Sequence, residues 1–358
     1  VAAEGFKNMR HSTLLLISLA VASLSANELK TPKCNSADGQ EFINNGHYQL
    51  AVREFTCLIE AFPTEVEGYR GRIEAQLLLD QFSDAMRDAA RITAFVLPVH
   101  PDAQETVLDA YDTRLVANPN SIPALTGASF LRWWRFEYDQ ALPLIEKLRT
   151  IAPKDVYANL YRGSAKMLSG DQGAADLEKA ILLAPANPHV HFIVADAYTY
   201  GDPKPIRAFA EASLALFGGL NTPRVHAILA VSYTAFGNEL LAASHVKTHI
   251  DQVTTELVKL APLPANNTLS LQLAAARTFE IPVAVTAGSK LQISTSSDDF
   301  WDTILVLLAP NGTPVASSDD LDDYFAGLDW TAPATGVYRL RVTSFESINT
   351  GGLTVTRK

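Results

Sequence analysis

The chain holds 358 residues, more than a single hydrophobic core ordinarily serves, so two folding units are expected, each long enough for a core. A hydrophobic content of 47% with 19% charged residues is a globular balance that argues against long disorder. The formal charge of −10, with no cluster of Lys and Arg, argues against a nucleic-acid ligand, because a phosphate backbone needs a concentrated basic face.

Near the N-terminus, Arg10 and His11 precede an apolar run from Leu14 to Ala22, followed by Ser23, Ser25 and Ala26. Basic, apolar and small is the order of a secretory signal peptide, so 1–26 is assigned as an upstream extension with a start at Met9 and a signal segment. The apolar run is shorter than the roughly 20 residues of a bilayer span, and no other segment qualifies. The mature protein is therefore expected to be exported, with an uncleaved N-terminal anchor as the alternative. Cys34 and Cys57 remain after cleavage. In an oxidising compartment they most simply form one disulfide; two buried free thiols are the alternative. Their separation is not that of a CxxC redox motif.

Gly46, Tyr48, Ala51, Phe55 and Leu58 place small, aromatic, small and bulky residues on one helical face, and Pro63 stops the helix. The pattern resembles the second helix of a tetratricopeptide repeat, and it recurs near the 34-residue period of that family. Ala85, Ala89 and Ile92 with Pro98 repeat it. So do Tyr138, Ala141, Ile145, Leu148 and Pro153, and then Gly173, Leu177, Ala180 and Pro185. Ala208 with Ala212, and Ala242 with Val246, continue it in degraded form. Val107, Tyr111 and Pro119 form another such helix only about 22 residues after its predecessor, so that repeat is expected to lack most of its first helix. The close-contact position of the first helices holds Gly39, Ser129 and Ala230, all small, but also Ile73, Tyr161 and Asp196, which depart from the family pattern. The resemblance implies an all-α superhelical solenoid over 27–261 whose concave groove binds a protein or peptide.

In such an array the first helix of each repeat lines the groove. Counting back from Ala141 puts Phe130, Trp133 and Trp134 there, and the same count gives Arg70, Glu74, Arg162, Lys166, Tyr200 and Arg224. Trp and Arg dominate interface hot spots because they bury much area and keep polar edges. This set is the candidate partner site, suited to an extended acidic or aromatic peptide. One of the two tryptophans is expected to pack against the shortened repeat and the other to be exposed.

Around Ala261, a breaker cluster of Pro262, Pro264, Asn266 and Asn267 ends the helical spacing, and 262–358 is expected to be an all-β sandwich. Strands are predicted at Thr278–Val285, Lys290–Thr295, Thr303–Leu308, Val337–Thr343 and Leu353–Thr356. Ala287 and Gly288 before Leu291 and Ile293, Asp302 before Ile304 to Leu308, and the turn Pro310, Asn311, Gly312 follow one another in a recognisable order. Asp319, Asp320, then Thr335 to Tyr338, Arg341 and Gly352 complete it. The segment resembles the bacterial pre-peptidase C-terminal domain, a jelly-roll-like module. Acidic loop residues hold calcium in the members of that family that bind it, which implicates Asp302, Asp319 and Asp320. Asp298, Asp299, Asp322 and Asp323 add to the acidic group, and a solvated acidic loop is the other reading. Asn266 and Asn311 begin N-x-T patterns.

Catalytic patterns are missing. There is no GxSxG elbow, Gly170 to Gly173 is not followed by GK[ST], and His245 and His249 lack the Glu and third ligand of a zinc site. These histidines, with His189 and His191, are expected to be surface or capping groups. The sequence thus points to a non-enzymatic binding scaffold, periplasmic, secreted or on the surface of a bacterium, that requires no cofactor. Alternatives are a head-to-tail subunit of an extracellular polymer and a carbohydrate-binding accessory protein that attaches to polysaccharide.

Overall fold

A computed structural model describes residues 34–63, 66–92, 101–254, 256–273, 277–297, 302–318, 325–344 and 351–358. The expected signal segment and Pro98 lie outside them, and no described helix is long and apolar enough to cross a membrane. The helices are α1 (Ser36–Asn44), α2 (Tyr48–Ala61), α3 (Val66–Leu78), α4 (Phe82–Ile92), α5 (Pro101–Ala117), α6 (Ile122–Trp134), α7 (Tyr138–Ile151), α8 (Val156–Leu168), α9 (Ala174–Leu183), α10 (Pro188–Tyr200), α11 (Pro205–Phe217), α12 (Pro223–Ala235) and α13 (Glu239–Val253).

Local chemistry sets the boundaries. Ser121, Asp155, Asn187 and Thr222 cap the first helices of four pairs by accepting from backbone N–H groups, and Pro188 and Pro223 open α10 and α12, where a missing N–H costs nothing. Between the helices of a pair the chain passes through the left-handed region at Gly46 (φ 74°), Gly170 (84°) and Gly237 (70°). Asp80 (58°) and Phe136 (60°) hold the same place in their turns. Cys34 and Cys57 are disulfide-bonded, with Cα atoms 5.9 Å apart, and join the entry of α1 to α2.

The closest approach between repeats falls on residues that the family register does not mark. A Cβ on Gly71 of α3 would stand 2.1 Å from the Phe55 ring, and one on Gly127 of α6 would stand 2.2 Å from the Tyr111 ring. Ile73 and Tyr161 are therefore accommodated, because the tight contacts are made two residues away, at Gly71 and, on α8, at Gly163 against Leu177.

Helix α4 keeps the second-helix relation to α3, since Arg72 on α3 bonds both Asp88 (2.6 Å) and Thr56 of α2 (3.1 Å). It also does something that a regular array does not permit. Met86 Sδ accepts from Tyr161 Oη on α8 at 2.9 Å, Ser83 bonds Tyr157 at 2.7 Å, and α4 contacts α10 and α12. The first two repeats thus fold back so that α4 packs on the inner face of the later ones. The spacing between α4, which ends at Ile92, and α5, which begins at Pro101, is too short for a full first helix. Tyr111 of α5 donates to the Leu77 carbonyl at 2.5 Å and fastens α5 to α3.

The strands are β1 (Glu256–Lys259), β2 (Asn267–Leu273), β3 (Arg277–Val285), β4 (Lys290–Ser296), β5 (Thr303–Leu308), β6 (Pro314–Ser318), β7 (Gly327–Thr331), β8 (Gly336–Ser344) and β9 (Gly351–Arg357). They form two facing sheets, ordered β1-β3-β8-β5-β6 and β2-β9-β4-β7, antiparallel except for the β1/β3 pair. The five strands read from sequence are present, and β1, β2, β6 and β7 join them. Strand β1 precedes the breaker cluster, so the sheet begins ahead of the boundary expected at 261. A four-residue, mostly exposed edge strand carries no alternation by which sequence could mark it.

All six residues of β5 are buried. Leu305 and Leu307 face the sandwich interior, while Ile304, Val306 and Leu308 pack on Ala227, Ala230, Ala243, Val246 and Ile250 of α12 and α13. A strand covered on both faces has no polar side, which is why this one reads as a continuous apolar run. Arg341 bonds Asp251 on α13 (2.7 Å) and Glu280 on β3 (2.9 Å), and Thr254 bonds Thr278 (2.6 Å), so polar pairs flank the apolar junction.

Candidate functional site

The first helices α6, α8, α10 and α12 lie side by side, and side chains at i, i+3, i+4 and i+7 on each share the inner face. On α10 these are His189, Phe192, Ile193 and Asp196, with Tyr200 one turn further; on α6 they are Phe130, Trp133 and Trp134. Apart from Tyr200, which stands at the edge, these residues line a partly open cavity of about 70 Å³ with Ala89 of α4, Phe136, Tyr138, Leu168 and Arg224.

The walls are aromatic. Phe130 lies 5.3 Å from Trp134 and 5.7 Å from Tyr161 between ring centroids, and Trp133 lies 4.8 Å from Tyr161. Trp133 donates its indole N–H to Ser164 Oγ at 3.2 Å. At the edge, Arg224 bonds Asp196 at 3.0 Å and stacks 4.2 Å above the Tyr200 ring. Phe136 is 54% exposed at this edge.

Two buried polar atoms on lining residues have no partner among the described residues: Trp134 Nε1 and His189 Nδ1. Burial pushes the His189 imidazole down to about 4, so it is neutral at physiological pH. Tyr138 is pushed well above the ordinary phenol value, by burial first and by Asp196 second, and stays protonated.

The sequence-derived groove residues divide. Phe130, Trp133, Trp134, Tyr200 and Arg224 come together at the cavity or its edge. Neither tryptophan is exposed: Trp134 is buried and Trp133 partly so, because α4 and Tyr161 cover the face on which they lie. Arg162 leaves the site; it bonds Glu146 of α7 (2.5 Å) and Asp176 of α9, between second helices. The expected count is one residue off on α8, a turn of about 100°. Tyr161 faces inward and Arg162 does not. Lys166, one turn on, is half-buried and close enough to Glu146 to act on its charge. Arg70 pairs loosely with Glu67 at 3.8 Å. Glu74 is 6% exposed against α1, and burial, only partly offset by a Gln40 hydrogen bond, pushes its carboxyl up to about 7.

The histidines are not surface groups. His189, His191, His226 and His249 are all buried, and His245 is partly so. His191 pairs with Glu211 at 2.5 Å and with the Pro185 carbonyl at 2.8 Å, and the Glu211 bond raises its pKa. His226 and His245 bond each other through Nδ1 at 2.8 Å. Of the proposed calcium ligands, Asp319 and Asp320 lie outside the described residues; Asp302 precedes β5, where its carbonyl accepts from Ser344 at 3.3 Å. No group of three or more metal-ligating side chains occurs among the described residues.

Phe136 and His189 were not assigned to the groove from sequence. The signal for Phe136 was present, because it stands where Gly46, Gly170 and Gly237 stand in the sister turns. No comparable sign marked His189.

Fold and site together define a helix-pair solenoid, continued by a β-sandwich, with an aromatic cavity on the solenoid's inner face. No family model matches the chain, and no curated protein matches it. Among solved structures, a tetratricopeptide repeat protein from Parabacteroides merdae is 19% identical over 66% of this chain and 84% of its own, with a TM-score of 0.37. A thermophilic TPR protein of Thermus thermophilus is 17% identical over 55% of this chain and 95% of its own (TM-score 0.33). The pre-peptidase C-terminal domain of a Bacillus anthracis collagenase is 16% identical over 28% of this chain and 94% of its own (TM-score 0.25). These likenesses are of fold.

Proposed function

We propose that this protein is an exported scaffold that binds a protein or peptide partner at the inner-face cavity, with the β-sandwich, docked against α12 and α13, serving as its attachment module. The disulfide supports export, since such bonds persist in oxidising compartments. The observation that carries the binding reading is Phe136. A bulky side chain at φ 60° costs backbone energy that glycine would not, and here the strained residue is an exposed aromatic at the mouth of a cavity. Three sister turns use glycine at this place and one uses Asp80, a residue that tolerates the left-handed region, so a bulky aromatic here fits selection for contact rather than for folding.

Because α4 covers part of the inner face, the available surface is the stretch formed by Phe136, Tyr138, Tyr200 and Arg224 rather than an open groove along the whole array. Partner capture from the native exported fraction is expected for the wild type and lost with Phe136→Ala, whose side chain is exposed enough for the fold to tolerate truncation. Undiminished capture by that variant would overturn the reading. Replacing Trp134 is a poorer test, because its burial makes any loss ambiguous.

A further inference from the structure

We propose that two copies of this chain join edge to edge through β2, antiparallel about a two-fold axis at Ser270. Among the described residues, the two open sheets leave four edge strands, each a row of backbone N–H and C=O groups that another strand could pair. Three of these edges are protected. Strand β1 carries Glu256 and Lys259 and leads into Pro262 and Pro264. Strand β6 opens with Pro314, is bulged against β5 and packs against α13. Strand β7 carries Asp329, paired with Lys290 at 2.8 Å, and its Gly327 N–H donates to Ser318 Oγ on β6 at 3.0 Å. Charge, proline, a bulge and a covering element are the usual means of keeping an edge from pairing.

Strand β2 has none of them. Its seven residues, Asn267–Leu273, pair with β9 without a shift in register, and they include no charged residue and no proline. Among the described residues, no backbone group outside β9 bonds the β2 backbone. The outward side of the strand is thus open main chain, and the structure that satisfies such a row of donors and acceptors is another extended strand.

The side chains of β2 say which strand. Leu269 and Leu271 pack on the sandwich core but are only partly buried, while Thr268, Ser270 and Gln272 between them are exposed. An added strand must continue that alternation, apolar inward and polar outward, and be uncharged, because β2 offers no charge to pair. Strand β2 itself meets each requirement. A two-fold at Ser270 is the register that overlaps all seven residues. It sets Leu269 of one copy opposite Leu271 of the other, Thr268 opposite Gln272, and Ser270 opposite its own copy. The chain carries a net charge of −10, yet no like charges meet along this edge. One seven-residue ladder is a small interface, so the dimer is reversible, with a Kd of about 10–100 µM. The two-fold contact closes on itself, and no third copy adds. The pairing does not depend on the reading of the inner-face cavity; if that reading holds, each dimer carries two such sites.

Sedimentation velocity of the full-length protein over a concentration series should show the mass doubling and rising no further. Ser270→Lys and Ser270→Asp, both at an exposed position, should each weaken the dimer about fivefold, because like charges then face each other across the axis. An equimolar mixture of the two variants should regain the parent affinity or exceed it, a recovery that damaged folds cannot produce. Ser270→Cys should be trapped as a covalent dimer on oxidation, since Cys34 and Cys57 are already bridged to each other. A monomer throughout the series, growth beyond the dimer, a dimer indifferent to both charged variants, or charged variants that stay weak when mixed would each overturn the proposal.

Discussion

At the junction of α13 with the five-stranded sheet, Ile304, Val306 and Leu308 are at most 1% exposed, and Arg341, Asp251, Thr254 and Thr278 pair around them. At the inner face, α4 meets α8 through Met86 with Tyr161 and Ser83 with Tyr157, yet a cavity remains and two ring nitrogens stay unpaired. Both seams bring distant segments together by burying hydrophobic surface. They differ in completeness. Burial alone shows where segments meet, whereas unfilled space and unsatisfied polar atoms show where a contact is left for something else.

The largest effect should come from breaking the finished seam. Val306→Asp places a charge between two layers, where its cross-strand neighbour Arg341 is already paired with Asp251 and Glu280, and a loss of about 3–5 kcal/mol is expected. Differential scanning calorimetry should show the sandwich and solenoid melting in separate transitions, where the parent couples them. A single unchanged transition would mean that the junction contributes little.

Glu74 sharpens the comparison, being a buried and imperfectly paired group away from the cavity. Its folded pKa of about 7 lies above its ordinary 4.5, so its contribution to stability is full below 4.5 and is lost as pH rises through 7. Glu74→Gln should therefore be neutral near pH 4 and stabilise by on the order of 2 kcal/mol at pH 8, with partner capture unaffected. Urea midpoints that move equally at both values would show that burial is not the cause.

Phe136 should give the smallest and most informative change. Phe136→Gly relieves the left-handed conformation and is expected to raise stability by about 1 kcal/mol, read from the denaturation midpoint, while partner capture falls. A variant that loses stability would show that the side chain's packing outweighs the backbone strain.

Much of this was legible beforehand, for identifiable reasons. Helix-period spacing and the Pro that follows a second helix are local signals, and they placed the second helices and the shortened repeat. The Cys34–Cys57 pair followed from composition and compartment. Strand β5 was readable as well, but that both of its faces are covered shows only with α12 and α13 in place. Strands β1 and β6 were not legible, because short edge strands with exposed or Ser-rich residues lack alternation. On α8, a count carried over from other repeats chose Arg162 and Lys166, where the helix's own pattern of Tyr157, Tyr161, Ser164 and Leu168 marks the inner face.

By itself, the sequence determined two folding units, the helical pairs and most of the strands, since these depend on periodicity, capping and turn residues within a few positions of one another. Only the tertiary structure decided that α4 folds back onto the inner face, that α13 seals one sheet, and that Trp134 and His189, 55 residues apart, line one cavity with unpaired nitrogens. Those outcomes depend on which surfaces remain uncovered after the local elements have formed, and that is a property of the packed molecule rather than of any stretch of its chain.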